Sequence, residues 1–201
     1  NLGKCLILLV IALTAIVAAS AQTYPRATKI AIVPVFNDSG DKWVELQNRQ
    51  VKAGNEWLAT EFTKRGFTVV SNDEVAKTMA ELKIDFGDAE QRNRANLYNI
   101  GQKTGATLVV FPVIVASKQG KTGGLFPKER GEVTIKLWLL DSVKQEPIIN
   151  AVTAKGNASG SSFLAGLEKG SDLQVKAVGN TLKDHFKDWF KSYPVIGGGG
   201  L

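Results

Sequence analysis

Two rhythms of apolar residues run along the chain, short continuous or alternating runs that suit strands and three-to-four-residue spacings that suit helices. Lys29 to Val35 (KIAIVPV) ends in the turn cluster Asn37-Asp38-Ser39-Gly40 and predicts a buried strand with Pro34 near its end. Val51, Trp57, Leu58 and Phe62 give the stretch from Trp43 to Arg65 an approximate helical face, with Gly66 placed to stop it. Phe67 to Val70 then predicts a second strand, and a strand–helix–strand passage of this kind returns parallel as a right-handed crossover.

Further along, Ser71 and Glu74 form a capping-box pair ahead of Val75, Met79 and Leu82, which share one helical face. Asp88 and Gln91 suggest another helix start, with Leu97 and Ile100 as its apolar face and Gly105 as its end. Ala106 to Ala116 (ATLVVFPVIVA) predicts the central strand. Glu132 to Asp141 alternates, placing Val133, Ile135, Leu137 and Leu139 on a packed face and Glu132, Thr134, Lys136 and Trp138 on a face open to solvent. A last strand is expected from Pro147 to Ala154, then a Gly/Ser-rich loop through Gly170. A closing helix follows over Ser171 to Tyr193, with Val175, Val178, Leu182, Phe186 and Trp189 inward. The order β-α-β-α-α-β-β-β-α predicts an α/β fold, a single domain over residues 29–193 with a mixed sheet in two or three layers.

The first residues change the picture. Lys4 precedes an uncharged run from Cys5 to Ala19, and Ala19-Ser20-Ala21 has the small-x-small pattern of a signal-peptidase site. Residues 1–21 are therefore expected to be a signal peptide, with the mature chain starting at Gln22, or else a retained membrane anchor. Residues 22–28 are read as a leader and 194–201 as a flexible Gly-rich tail. The 201 residues carry a net charge of +6, of which +5 remains after residue 21 because Lys4 is the only charge before it. A positive balance suits an anionic surface, and export directs that expectation to the cell envelope and away from nucleic acid.

Candidate chemistry is sparse. The only cysteine, Cys5, begins the hydrophobic run, so a chain cut after residue 21 has no thiol for a disulfide, a nucleophile or a metal. His185 is the only histidine and is expected on the surface of the final helix, and no ligand spacing points to a metal or cofactor. Gly120-Lys121-Thr122 imitates the end of a phosphate-binding loop, but Val115 stands where the first glycine is needed and the segment joins two strands. Ser159, Ser161 and Ser162 lack a nucleophile-elbow context. Asp38 and Asp41, near the end of the first strand, carry the weak alternative of an unrecognised hydrolase, and turn residues are their ordinary reading.

The remaining candidates are contact residues. In the connection Ser117 to Gly131, Leu125 and Phe126 sit among Lys118, Lys121, Lys128 and Arg130, and apolar tips flanked by cations suit a protein contact or a lipid interface. Phe163, Leu164 and Leu167 in the Gly/Ser-rich loop form a second such tip.

KIAIVPVFND (29–38), RGFTVVSNDEV (65–75), GATLVVFPVIVAS (105–117) and GEVTIKLWLLDSVKQEPI (131–148), in this element order, resemble the curli assembly/transport component family. The related TolB N-terminal-like domains and penicillin-binding-protein activator lipoproteins are similar in the same way. The resemblance spans roughly Lys29 to Phe190 and implies a non-enzymatic envelope module in the periplasm or at the outer membrane or surface of a bacterium. Such a module would act on cell-envelope proteins or by homo-oligomerisation, with a peripheral membrane contact as a further expectation. The alternative it carries, a subunit of an outer-membrane secretion pore, meets a departure: no lipobox cysteine follows the hydrophobic run. Moreover, neither 117–131 nor 155–170 shows the outward apolar alternation of a spanning strand.

Overall fold

A computed structural model describes residues 23–121, 128–160 and 170–196. They form one open mixed sheet of six strands flanked by four helices, in the order β1 (Lys29–Ile32), β2 (Phe36–Asn37), α1 (Val44–Lys64), β3 (Thr68–Val69), α2 (Asn72–Glu81), α3 (Arg94–Thr104), β4 (Leu108–Lys121), β5 (Glu129–Asp141), β6 (Glu146–Gly160) and α4 (Gly170–Phe186). Across the sheet the strands run β3-β1-β4-β5-β6, with β2 pairing the far part of β4. β3, β1 and β4 are parallel and β4, β5 and β6 antiparallel. The parallel return of β3 beside β1 is the expected one.

Alternation of side chains across the pleat builds two cores. Ile30, Ile32, Leu108, Val110, Ile135, Leu137 and Leu139 face α1 and α4, where they meet Leu58, Phe62, Val178, Leu182 and Phe186. Ala31, Val33, Val109, Phe111, Val113, Trp138 and Leu140 face α2 and α3, where they meet Val75, Leu97 and Ile100. The domain is thus three-layered where both helix pairs cover the sheet.

Several elements depart from the sequence expectations for identifiable reasons. The single strand over Lys29–Val35 is split, because Pro34 has no N–H and the Val35 N–H leaves the ladder for Asn55 Oδ1 on α1 at 2.9 Å. α3 starts at Arg94: Asn93 Oδ1 accepts the Asn96 N–H at 3.0 Å, whereas Asp88 caps only a short 3-10 turn at Ala89–Gln91. The cap at Ser71 and the left-handed stop at Gly105 (φ 65°) form as expected. Trp138 is not solvated; it stacks on Phe111 with ring centroids 5.5 Å apart. The closing helix ends at Phe186 and is followed by a separate 3-10 turn at Trp189–Ser192.

The leader and the start of the tail are packed. Tyr24 is buried, donating its hydroxyl to Asp141 Oδ2 at 2.9 Å and its N–H to the Tyr193 hydroxyl at 2.7 Å. Burial, then the bond to Asp141, pushes the Tyr24 phenol above its ordinary range. Ile196 donates its N–H to the Lys64 carbonyl at 2.9 Å, so the tail runs along the C-terminal end of α1 as far as that residue.

The largest departure concerns the two connections. The described parts of both expected loops are mostly strand: β4 extends to Lys121, β5 begins at Glu129, and β6 continues past Ala154 to Gly160. Lys121 pairs with Glu129 and Gly160 with Glu129 across this extension, which makes a three-stranded ribbon beyond the doubly covered core.

Candidate functional site

The ribbon is the part of the fold that the core does not account for. On the α4 side, Ser117, Val133 and Gly156 lie in register and are covered by the helix. Two glycines permit the approach: a Cβ at Gly131 would run into the Leu173 and Gln174 backbone, and one at Gly156 into Thr181. His185 Nε2 then donates to the Ile135 carbonyl at 2.9 Å, tying α4 to the middle strand, while the Thr181 hydroxyl, which donates to Ala177 of its own helix at 2.6 Å, lies 3.2 Å from the Val133 carbonyl. Burial pulls the His185 imidazole below its ordinary value, against the Ile135 carbonyl and Asp184, which favour its charged form. His185 is therefore a half-buried packing residue and not the surface histidine expected.

Among the described residues, no helix lies over the opposite face of the ribbon. The core under α2 and α3 stops at Val113, Trp138 and Ala151. Outward from there, Ala116 and Lys118 on β4, Arg130, Glu132, Thr134 and Lys136 on β5, and Thr153, Lys155, Asn157 and Ser159 on β6 share one face by register. Glu132 sits among the cations, 3.0 Å from Arg130 and 2.6 Å from Lys155, and the Lys155 bond leads in holding its carboxyl below the usual range. Lys136 Nζ lies 5.0 Å from the centre of the Trp138 ring.

The edges of the sheet differ as sharply as its faces. β3 offers two residues, whereas β6 offers fifteen, and no other strand among the described residues pairs with its outer side. Near the core this edge is broken by irregular pairing opposite Leu137–Leu140, by Pro147 and by the positive φ of Ala151 (55°). From Val152 to Gly160 the pairing with β5 is continuous.

Of the predicted contact residues, Lys121 and Arg130 lie on the ribbon, on opposite faces: Lys121 pairs with Glu129 at 3.3 Å and Arg130 joins the cationic open face. Lys128 is exposed just before β5. Leu125, Phe126, Phe163, Leu164 and Leu167 lie outside the described residues, as do residues 1–22 and the Gly197–Gly200 run. The sequence placed Lys136 on an open face but did not join it to Lys155 or reveal the β6 edge, because the Gly and Ser residues of 155–160 resembled a loop; the alternation of Thr153, Lys155, Asn157 and Ser159 was the available signal.

The other polar groups are engaged structurally. Asp38 pairs with Arg92 at 2.5 Å, and that guanidinium also donates to the Phe86 carbonyl at 2.7 Å. Asp41 caps the Trp43 N–H at 2.9 Å. Ser117 Oγ accepts from Gln50 and Gln174 at 2.8 and 2.6 Å inside the domain. A groove of about 410 Å3 beside α1 is lined by Asn48, Lys52, Asn55, Glu56 and Asn72, with Lys52 and Glu56 paired at 3.8 Å along the helix. Among the described residues no group of three or more His, Cys, Asp or Glu side chains could hold a metal, and no helix is long and apolar enough to cross a membrane.

No family model and no curated protein matches the chain. Among solved structures it is similar to a lipoprotein of Neisseria meningitidis, at 17% identity and a TM-score of 0.48 over 80% of this chain and 99% of that one. It is also similar to the PelC dodecamer of Paraburkholderia phytofirmans, at 14% identity and a TM-score of 0.40 over 81% and 92% of the two chains. A third likeness is to the LpoB C-terminal domain of Escherichia coli, at 17% identity and a TM-score of 0.38 over 69% and 87%.

Proposed function

We propose that this chain is a non-catalytic module of the bacterial cell envelope that works by holding another protein, with residues 1–21 as its export segment and the β4–β6 ribbon as its contact surface. The observation that carries the reading is the ribbon itself. Among the described residues it is packed against α4 on one face, open and cationic on the other, and bounded by a strand edge that pairs with no further strand. A rigid scaffold that presents an unpaired edge and a charged face is suited to a contact surface and has no evident use in stabilising the domain. Export is supported by the Lys4-led hydrophobic run and the Ala19-Ser20-Ala21 pattern. The absence of catalysis is supported by the engagement of His185, Asp38 and Asp41 in structural bonds.

The ribbon does not favour the secretion-pore alternative. A lipid-facing strand needs an apolar outward row, and Lys118, Arg130, Glu132, Lys136 and Lys155 occupy that row here.

Site-directed photocross-linking in cells that secrete the chain tests the reading. A cross-linker at Asn157 on the ribbon is expected to form one discrete protein adduct in the envelope fraction, while one at Lys77 on α2 forms none. Absence of any adduct at Asn157 and at Thr134, in chain shown to be exported, would overturn it.

A further inference from the structure

The stretch of β6 from Val152 to Gly160, whose outer side pairs with no other strand among the described residues, is flanked by positive charge on both sides. On the open face, Lys155 stands on β6 itself and Lys136 on the neighbouring strand, opposite Thr153. On the other side, Asn180 of α4 donates from Nδ2 to the Asn157 carbonyl at 2.8 Å, which sets one stripe of the helix alongside β6. Lys183 lies one turn after Asn180 on that stripe and is exposed. Asp184 is the carboxylate of α4 beside Lys183, and Glu132 is held between Arg130 and Lys155.

We propose that the outer edge of β6 from Val152 to Gly160 takes up an acidic, extended polypeptide segment as an added strand. This rests on the ribbon being a protein-contact surface and names the chemistry of the partner. An added strand lies about 4.8 Å from β6 and sends alternate side chains to opposite faces. One row then meets Lys155 and the reach of Lys136, and the other meets Lys183, so carboxylates are matched on both faces. Backbone hydrogen bonds supply affinity, and the cations on the two faces supply selection and a faster encounter. The same charges oppose a second copy in this position, since pairing two β6 edges would bring both sets of lysines together.

The test uses two capped synthetic decapeptides, one alternating Glu with Val and one alternating Lys with Val, with amide hydrogen exchange of the whole chain as the readout. The Glu–Val peptide is expected to bind, to slow exchange at alternate amides within 152–160, and to weaken as salt is raised. The double variant Lys155→Glu with Lys183→Glu is expected to weaken it by about tenfold or more. Proline at Asn157 or at Ala158 adds an independent check: neighbouring N–H groups point to opposite sides of a strand, so one of the two substitutions removes an outward donor and leaves the β5 ladder intact. The variant that keeps the wild-type melt is expected to lose the peptide.

Equal binding of the Lys–Val peptide would overturn the charge requirement. Binding of the acidic peptide without slowed exchange at 152–160 would overturn strand addition, and binding of neither peptide would overturn the proposal outright. If exchange at 152–160 instead slows with the concentration of the chain alone, the edge belongs to a second copy; the protein-contact function then stands while the acidic partner falls. Loss of the Asn157 cross-link in cells is the separate result that removes the function itself.

Discussion

The sheet has two halves built by different rules. Around Val110 and Leu139 it is covered on both faces, and nearly every side chain there is apolar and buried. Around Thr134, among the described residues, only α4 covers it, and the other face carries lysine, arginine, glutamate, threonine and asparagine. The strands are the same three in both halves, so the difference lies in which side chains point away from α4. In the inner half those positions are Val109, Phe111 and Trp138, and in the outer half Lys118, Glu132 and Lys155. Burial is sufficient reason for the first set and cannot be the reason for the second.

The largest effect that distinguishes the halves is expected at Phe62. Its ring meets Phe67, Phe186, Trp189 and Phe190 with centroids 5.3 to 5.7 Å apart and is fully buried. Phe62→Ala should cost about 3–5 kcal/mol, as the lost transfer energy and the remaining cavity add. Urea denaturation measures it, and a loss below about 1 kcal/mol would mean that this aromatic cluster does not hold the inner half together.

Gly156→Ala comes next and acts on the covered face of the outer half. The new methyl would meet the Thr181 backbone, which cannot rotate away, so α4 must lift from the ribbon at a cost of about 1–3 kcal/mol. The comparison is sharpened by where the loss appears: hydrogen exchange should quicken in β6 and α4 while β1 keeps its protection. Uniform quickening across the sheet would show that the two halves unfold as one.

Much of this was legible in the chain. Strand–helix alternation, the caps at Ser71 and Gly105, and the inward row from Val133 to Leu139 follow from periodicity and local hydrogen bonding, which are properties of neighbouring residues. The ribbon was not legible because its outer strands are stabilised by pairing between distant residues, and Gly156 and Gly160 carry no strand preference of their own. Gly156 is there for the approach of α4, a tertiary reason that mimics a loop signal. The cations at Lys121 and Arg130 were recognised as residues of interest, but only the register shows that they fall on opposite faces and that Lys155 and Lys136 belong with Arg130.

A smaller effect is expected from pH through His185. Burial lowers its folded-state value below the unfolded one of about 6.5. Between the two values the unfolded chain holds more protons, so stability falls as pH drops below about 6.5 and is fully present above it. The urea midpoint should therefore decrease between about pH 7.5 and pH 5.5, and less so in His185→Gln, whose side chain can still donate to the Ile135 carbonyl. An equal decrease in both proteins would assign the pH dependence to other groups.

The smallest effect is expected on the open face, and its smallness is what the comparison requires. Lys118 is exposed at the outer end of β4, and Thr134 faces the same way from the middle strand. Neither contributes to either core. Lys118→Ala and Thr134→Ser should leave the urea midpoint essentially where it is, since exposed side chains of this kind contribute little to folding. If either change destabilised the domain as much as Gly156→Ala, the polar face would have a structural purpose and would no longer be spare surface. If both are silent in unfolding, the cationic row is maintained at no benefit to stability, and a binding partner becomes the remaining physical reason for charge on a sheet face that apolar residues would otherwise occupy.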